Sequence, residues 1–301
     1  MAGKVISVAN MKGGVGKTTV AIGLALTCLQ RRPGLRVLVI DLDAQANASF
    51  WLLGDESLAD LIETGRTVEA FLEDVFVYGQ KRQLFEFAHA VRHHGGGHLS
   101  TIPSSPELRL VEREVFHFLS DQRKSFKEVE RIIGDLISRE IEQLRHRFDY
   151  VIFDTAPGIS PVTEGALKAS DLVIVPTIPD FISNLGLEAF CRSVWAGAWP
   201  GADVRIPWVL ANLVRDTAHH RTMLEEMRSE ASAEDAGFRM FEVEIPNLPA
   251  IEEAGGLVGA PGAQVANGFA GPVGALFDRL LEEALAAAGA NAPREPIRLA
   301  R

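Results

Sequence analysis

The sequence predicts an α/β protein built on a single doubly wound, mostly parallel sheet with helices on both faces. Short apolar, strand-like runs alternate along the chain with longer segments of helical periodicity, an order that favours a parallel sheet covered on both sides. Several of these runs end at an acid or at a glycine-rich loop, as strands do where they deliver groups to a ligand. With 47% hydrophobic and 23% charged residues, the composition is that of an ordinary globular protein.

The predicted strands are brief apolar runs, as expected for strands that are buried on both faces. The first begins directly after Lys4, and two others lead into Asp41 and Asp154. In chain order, the predicted strands are Val5–Ala9, Val37–Ile40, His98–Pro103, Tyr150–Phe153, Asp171–Pro176 and Ile206–Ala211.

The predicted helices lie between these runs. The clearest is Ser125–Arg147, where Val129, Ile133, Ile137 and Leu144 fall close to one stripe and charges of both signs occupy the other positions. The remaining predicted helices are Thr18–Gln30, Ser57–Val75, Pro106–Leu119, one near Ser183–Trp195, His219–Ser229 and Pro272–Ala288.

No internal repeat and no linker divides the chain, so we expect one domain over residues 1–288. Residues 289–301 contain two prolines and several small side chains, which predicts a short tail.

The stretch Gly79–Ser100 is the least regular part of the chain, and four histidines lie near its end. No Cys, Asp or Glu lies among them, and three consecutive glycines would leave a metal site poorly held, so we expect a surface loop. A metal site and a pH-sensitive contact are the alternatives. The histidines are His89, His93, His94 and His98.

Charge and cysteine content limit the class of protein. The formal net charge of −10 opposes nucleic-acid binding by net charge alone, although a local basic patch can still bind. Cys28 and Cys191 lie in apolar stretches without metal-ligand spacing, so we expect small buried side chains. Signal-peptide features are missing, and the longest uncharged run, Ala254–Phe277, is broken by glycines and prolines. We therefore expect a cytoplasmic protein.

The segment Lys12–Thr18, between the first strand and the first helix, has the composition of a phosphate-binding loop. A triphosphate needs many backbone N–H donors, so the chain must curl tightly around it, and glycine permits that backbone. The helix N-terminus adds free N–H groups and the positive end of its dipole. We expect Lys17 to reach the β- and γ-phosphates and the Thr18 hydroxyl to ligate Mg²⁺. The expected nucleotide contacts are Gly13, Gly14, Val15, Gly16, Lys17, Thr18 and Thr19.

This pattern, K-G-G-x-G-K-T, resembles the deviant Walker A loop of the ParA/MinD family of ATPases. It departs from the ordinary loop at Met11, which replaces the first glycine, and adds a second lysine, Lys12. The resemblance implies a P-loop ATPase that binds ATP and Mg²⁺ and forms a homodimer with ATP. In that family the extra lysine reaches the partner subunit's nucleotide, so Lys12 would act in catalysis as an arginine finger does elsewhere, beside Lys17.

Two acids follow the second strand. Asp41 and Asp43 share one side of the chain if the strand geometry continues, and carboxylates there suit magnesium-water ligation and positioning of an attacking water. The segment resembles the family's D-x-D-P-Q-x-N, with Ala44 where proline is usual. The resemblance implies that Asp43 orients the attacking water and that Asp41 is an outer-shell partner of Mg²⁺. The alternative is that both acids cap the next helix.

Another apolar strand ends at Asp154, in a segment that resembles the family's Walker B motif. We expect Asp154 to hold Mg²⁺ through water, with a plain turn or cap acid as the alternative. The family often has two prolines after this acid, whereas this chain has Ala156-Pro157. Thr155 and Gly158 would rearrange when the γ-phosphate leaves.

Two later positions resemble the family less sharply. Asn212 matches the residue whose amide reads the adenine base. Asp180, followed by Leu185-Gly186-Leu187, matches the segment that runs into the nucleotide-facing helix. Helix or turn capping is the alternative for Asn212, and a purely structural role is the alternative for Asp180.

The resemblance covers roughly residues 3–285 and is nearest to short ParA-like proteins without a preceding helix-turn-helix domain. It implies a slow, partner-stimulated ATPase that partitions a plasmid or chromosome, or positions a cellular cargo, by ATP-dependent nonspecific DNA binding. A ParB-like or cargo adaptor protein would be the partner, and the location would be nucleoid-associated. Candidate DNA contacts are Arg215, Arg221 and Arg228, with Arg294, Arg298 and Arg301 as weaker ones.

A MinD-like membrane-associated ATPase and an ATP-dependent metabolic enzyme of the same superfamily are the alternatives. The membrane alternative needs a basic amphipathic helix near the C-terminus. Leu276–Ala288 instead carries Asp278, Glu282 and Glu283 against the single Arg279, so we do not expect membrane binding.

Overall fold

The computed structural model has the predicted fold class, an α/β fold around one mostly parallel sheet. The residues that it describes are 2–122, 124–181, 183, 186–187, 190, 206–234, 236–248, 269 and 271–290. The strands are β1 (Lys4–Val8), β2 (Arg36–Leu42), β3 (His89–His94), β4 (Gly97–Ile102), β5 (Tyr150–Thr155), β6 (Leu172–Thr177), β7 (Trp208–Val214), β8 (Arg239–Met240) and β9 (Ile245–Pro246).

Across the described part of the sheet the strand order is β3-β4-β2-β5-β1-β6-β7-β8, and β9 also pairs with β7. These pairings are parallel apart from β3 with β4. The carboxyl ends of β1, β2, β5 and β6 therefore meet at one edge, which is where open α/β sheets bind ligands.

Helices cover both faces of the sheet. The helices are α1 (Lys17–Arg31), α2 (Asn47–Leu53), α3 (Asp55–Glu63), α4 (Val68–Phe76), α5 (Leu108–Asp121), α6 (Phe126–Arg147), α7 (Pro161–Ala169), α8 (Ala218–Ala231) and α9 (Gly271–Ala290). On one face α1 and α9 pack on Ile6, Val39 and Ile174, and on the other α4 to α7 pack on Leu38 and Phe153. A smaller apolar cluster lies under α8.

The central helix α1 is held against α9 by a close approach at Gly23. A Cβ at that position would overlap the ring of Phe277, which is fully buried. This contact fixes the C-terminal helix against the helix that starts at the phosphate-binding loop.

The surface loop predicted for Gly79–Ser100 is wrong from His89 onward, where β3 forms a hairpin with β4. Strand β4 itself was predicted, as His98–Pro103. Gly95 and Gly96 have φ values of 56° and 80°, the left-handed conformation that a two-residue hairpin turn requires. The histidines misled the prediction because their residue type does not indicate a strand. Within the described residues, no group of three or more metal-ligating side chains comes together, so the metal alternative receives no support.

Other differences concern the short strands β8 and β9, which were not predicted, and several helices. The predicted helix Ser57–Val75 is two helices, α3 and α4, because Gly65 turns the chain between them with a φ of 63°. The short helices α2 and α7 were not predicted.

The last described helix also differs from the prediction, since α9 continues to Ala290, two residues into the predicted tail. The division into a domain and a tail stays a prediction, because residues 291–301 lie outside the described part. Most of the helix predicted near Ser183–Trp195, together with Leu185 and Cys191, also lies outside it.

Candidate functional site

The phosphate-binding loop is anchored at its start by Asn10, at the end of β1. The Asn10 amide nitrogen donates to the Pro176 carbonyl at 2.8 Å, and its oxygen accepts from the Lys12 N–H at 2.9 Å. Asn10 is buried, so these bonds fix the loop to β6 from inside the protein. Asn10 was not among the predicted site residues, although an amide directly before such a loop was a usable signal.

Glycine is required at two loop positions. Gly14 and Gly16 have φ values of 72° and 84°, and a Cβ on Gly16 would overlap the amide of Asn212. That amide donates to the Val15 carbonyl at 2.8 Å and is buried. In this structure Asn212 therefore stabilises the loop through the Val15 carbonyl. Its expected role in reading the adenine base stays a prediction.

Lys17 lies inside the curl of the loop. Its ammonium donates to the Lys12 carbonyl at 3.0 Å, and the residue is only 6% exposed. Burial lowers the pKa of Lys17, while the neighbouring charges of Asp154 and Asp43 oppose that shift. A cation held among backbone N–H groups at a helix N-terminus is suited to bind phosphate oxygens.

Thr18 and Asp154 meet at the centre of the site. The Thr18 hydroxyl donates to Asp154 Oδ2 at 2.7 Å, and Asp154 Oδ1 is buried without a hydrogen-bond partner among the described residues. Burial first, and then the charge of Asp41, raises the pKa of Asp154 well above its ordinary value. A hydroxyl beside a carboxylate with an open oxygen is an oxygen donor set that fits Mg²⁺ and its bound waters.

Asp41 and Asp43 lie at the same edge of the sheet as Thr18 and Asp154. Asp41 pairs with Asp154 across the parallel strands β2 and β5 and is fully buried. Burial raises the pKa of Asp41 to about 6, although Ser49 and the Asp43 N–H donate hydrogen bonds to its carboxylate. Asp43 is 9% exposed, and its Oδ1 accepts from the Gln45 N–H at 3.0 Å. The outer-shell role predicted for Asp41 stays a prediction.

Lys12 points away from its own loop. Its ammonium lies 3.3 Å from Asp180 Oδ2 and 2.7 Å from the Ser183 hydroxyl. Burial alone would raise the pKa of Asp180, but hydrogen bonds from Ser183 and Lys12 outweigh it and lower that pKa. The structure thus places Asp180 against the second lysine, a relationship that residue spacing did not indicate.

The segment after Asp154 is connected to a surface helix. The Ser160 hydroxyl caps α7 and also donates to Glu112 Oε1 of α5 at 2.5 Å. Burial raises the pKa of Glu112, and hydrogen bonds from Ser160 and Arg109 oppose that shift. Neither Ser160 nor Glu112 was a predicted site residue, because the contact joins parts of the chain that are distant in sequence.

The predicted site residues therefore come together at the carboxyl ends of the strands. Thr19 is half-buried in the first turn of α1, and the exposed Arg215 follows β7. Arg221 and Arg228 lie on α8, whereas the tail arginines lie outside the described residues.

Comparison with known proteins agrees with this geometry. A family model described as an AAA domain matches residues 3–196. A ParA family protein of Chlamydia pneumoniae is 30% identical over 204 residues, which cover 68% of each chain. The sporulation initiation inhibitor protein Soj of Bacillus subtilis is 32% identical over 192 residues, covering 64% of this chain and 65% of Soj.

An uncharacterized protein of Methanocaldococcus jannaschii is 32% identical over 197 residues, covering 63% of this chain and 64% of its own length. The chain thus spans slightly less than two thirds of two of these three relatives.

Solved structures share the fold at low sequence identity. ParA of pNOB8 bound to nonspecific DNA has a TM-score of 0.66 and 19% identity, covering 95% of this chain and 99% of that one. A plasmid partition protein of Borrelia burgdorferi bound to AMPPNP has a TM-score of 0.65 and 20% identity, covering 94% and 99%. Cobyrinic acid a,c-diamide synthase of Mycobacterium smegmatis, with a bound ATP analogue and magnesium, has a TM-score of 0.64 and 22% identity. The match covers 99% of this chain and 100% of that one.

Proposed function

Because this chain belongs to the ParA family of ATPases, we propose that it is an ATP-dependent dimeric switch that binds nonspecific DNA and partitions DNA or positions a cargo. The observation that carries the proposal is the arrangement of Lys17, Thr18 and Asp154 around one glycine-rich loop, with Asp43 beside them. These residues have the chemistry needed to bind a triphosphate and to hold Mg²⁺.

Nucleotide binding would use the loop in the conformation that the structure shows. The backbone N–H groups of residues 13–18 and the Lys17 ammonium would bind the phosphates of ATP. Mg²⁺ would be held by the Thr18 hydroxyl and, through water, by Asp154, and would neutralise phosphate charge. Among the residues that the structure describes, none donates to Oδ1 of Asp154, which supports this assignment because a buried carboxylate oxygen without a donor is otherwise costly.

Hydrolysis would depend on Asp43. Its carboxylate lies close enough to Lys17 for their charges to interact, which supports a place for it beside the bound phosphates. We propose that Asp43 orients the attacking water, and that slow hydrolysis ends the ATP-bound state unless a ParB-like or adaptor protein accelerates it.

Dimerisation would use Lys12. To reach a partner subunit's nucleotide, its ammonium must leave Asp180 and Ser183. The side chains of Lys12 and Asp180 are about a third exposed, at 36% and 29%, and ion pairs of that kind contribute about 0–1 kcal/mol, so the exchange costs little. The exposed apolar side chains of Met11 and Phe181, next to these two residues in sequence, support an interface here.

DNA binding would use basic residues near the end of β7 and on α8. Arg215 is exposed, whereas Arg221 pairs with Asp216 and Arg228 with Glu242 and Glu244. Because paired arginines are already partly neutralised, Arg215 is the strongest of the three candidates. Dimerisation would place two copies of a modest patch on one surface and so make weak contacts bivalent.

A membrane-bound alternative is less well supported. Helix α9 buries Phe277, Leu280 and Leu281 against the core, so its apolar face is not available to lipid. Within the described residues, no helix combines the length and the apolar character needed to cross a bilayer.

The test is retention of nonspecific duplex DNA on filters at low salt, with ATP or ADP, for the wild-type protein and for Asp43→Ala. We expect retention only with ATP, stronger in Asp43→Ala, and steeply weakened by salt as counterions are released. Lys17→Ala is the control and should retain no DNA with either nucleotide.

Equal retention with ADP and ATP, or none with either, would contradict a DNA-bound switch. ATP hydrolysis stimulated by a small metabolite, without DNA retention, would favour the metabolic alternative.

A further inference from the structure

We propose that Ser49 and Ser104 are positioning residues for hydrolysis. Ser104 holds the Asp43 carbonyl directly, and Ser49 holds Asp41, which accepts from the Asp43 N–H. This inference rests on the proposed role of Asp43 in orienting the attacking water. It assigns a role to two uncharged hydroxyl groups that are fully buried.

Both peptide groups of Asp43 are held from outside its own turn. Its N–H donates to Asp41 Oδ1 at 2.9 Å, and its carbonyl accepts from the Ser104 hydroxyl at 2.6 Å. The carbonyl also accepts from the Ala46 N–H at 2.8 Å, which closes the local turn. Asp41 and Ser104 come from the ends of the adjacent strands β2 and β4, so the sheet itself fixes this turn.

Ser49 joins the two anchors. Its hydroxyl donates to Asp41 Oδ2 at 2.7 Å and accepts from the Ser104 N–H at 2.9 Å, and its own N–H donates to Asp41 Oδ2 at 2.9 Å. Asp41, Ser49, Ser104 and Asp43 therefore form a closed ring of hydrogen bonds. Both serines are fully buried, so water does not compete for these bonds.

Asp43 needs such support because it lies in neither a strand nor a helix. Strand β2 ends at Leu42 and α2 begins at Asn47, with Ala46 in the left-handed conformation at φ 51° between them. Within the described part of the chain, the Asp43 carboxylate accepts from the N–H of Gln45 in the same turn, so its direction follows from the backbone. Rates are sensitive to such placement, since a misplacement of about 1 Å costs on the order of 100-fold.

Ser105 provides a matched control. It is as buried as Ser104 and is its neighbour in sequence, but its hydroxyl accepts from the Glu107 N–H and interacts with Glu69. Within the described contacts, it touches neither Asp41 nor Asp43. Ser104→Ala and Ser105→Ala remove the same atom from equally buried positions and should lower the unfolding temperature by similar amounts.

The test is single-turnover hydrolysis of radiolabelled ATP with Mg²⁺, together with the Kd for ATP from calorimetry. Ser104→Ala and Ser49→Ala should each lower the hydrolysis rate about tenfold or more while leaving the Kd within about twofold. Ser105→Ala should keep a rate close to that of the wild-type protein. In the Asp43→Ala background, Ser104→Ala should cause no further loss, because its effect passes through Asp43.

A Ser104→Ala rate that falls no more than the Ser105→Ala rate would overturn the inference. An equal proportional loss in the presence and absence of the Asp43 carboxylate would do the same. If the wild-type protein binds ATP but does not hydrolyse it, the proposed function itself fails, which is a different result.

Discussion

The Thr18 hydroxyl donates a 2.7 Å hydrogen bond to Asp154 Oδ2, joining the first turn of α1 to the end of β5. The bond brings a neutral oxygen and a carboxylate together at the edge of the sheet, and the second carboxylate oxygen has no partner within the described residues. The phosphate-binding loop and the predicted magnesium site are therefore parts of one structural unit.

Removing the charge of Asp154 should uncouple ATP binding from magnesium. In the wild-type protein, adding Mg²⁺ should tighten ATP binding, because Asp154 would hold the hydrated ion beside the phosphates. In Asp154→Asn this tightening should be largely lost, as measured by calorimetry with and without Mg²⁺. The control is Asp149→Asn, which breaks an ion pair with Arg36 just before the same strand and should leave the magnesium effect intact. An undiminished magnesium effect in Asp154→Asn would contradict the assignment.

Lys17→Ala should lose ATP affinity by about tenfold or more, because a charged hydrogen bond in a partly desolvated loop contributes roughly 1.5–3 kcal/mol. Calorimetric titration with ATP measures this loss directly. Lys127→Ala removes an exposed lysine of α6 and should bind ATP like the wild-type protein. Unchanged affinity in Lys17→Ala would mean that this loop is not the nucleotide site.

Glu112→Gln should change the pH dependence of stability. Burial raises the pKa of Glu112 above its ordinary value of 4.5, so the folded protein binds this proton more tightly than the unfolded chain. The contribution of Glu112 to the free energy of unfolding must then fall as pH rises from about 4.5 through the raised pKa. Urea unfolding at intervals between about pH 4 and pH 8 should show wild-type stability declining relative to Glu112→Gln. A difference that stays constant with pH would show that the carboxyl is not perturbed.

Arg215→Ala should weaken ATP-dependent DNA retention more than Arg228→Ala does. Arg215 is exposed, whereas Arg228 is held by Glu242 and Glu244, which raise its pKa and offset its charge. Removing one phosphate contact from each subunit should also reduce the slope of log affinity against log salt by about 2 for the dimer. Filter binding of both variants at several salt concentrations gives the comparison. Equal effects of the two substitutions would contradict a direct contact between Arg215 and a DNA phosphate.

The fold could be predicted because its signals are local. Apolar runs such as Val37–Ile40 and the periodic helix Ser125–Arg147 lie within two residues of β2 and α6. Strand β3 escaped prediction because histidine has no strong strand preference and because the three glycines after it suggest disorder as readily as a tight turn. Its strand character comes from pairing with β4, which is tertiary information.

The candidate site likewise has parts with a local sequence signal and parts that depend on tertiary contacts. The phosphate-binding loop and the acids at the strand ends could be predicted because each is a short motif in a fixed local context. Ser49 and Ser104 lie 55 residues apart, and their mutual hydrogen bond depends on the pairing of β2 with β4. The contact of Lys12 with Asp180 spans 168 residues and carries no signal in either segment alone.

The most direct test of the proposed switch is the molecular mass of two variants in ATP and Mg²⁺, measured by size-exclusion chromatography with light scattering. Lys12→Ala should bind ATP and remain a monomer, because the charge that would reach the partner subunit is missing. Asp43→Ala should form a dimer and stay dimeric, because it binds ATP without orienting the attacking water. A monomeric Asp43→Ala alongside a dimeric Lys12→Ala would contradict the roles proposed for both residues.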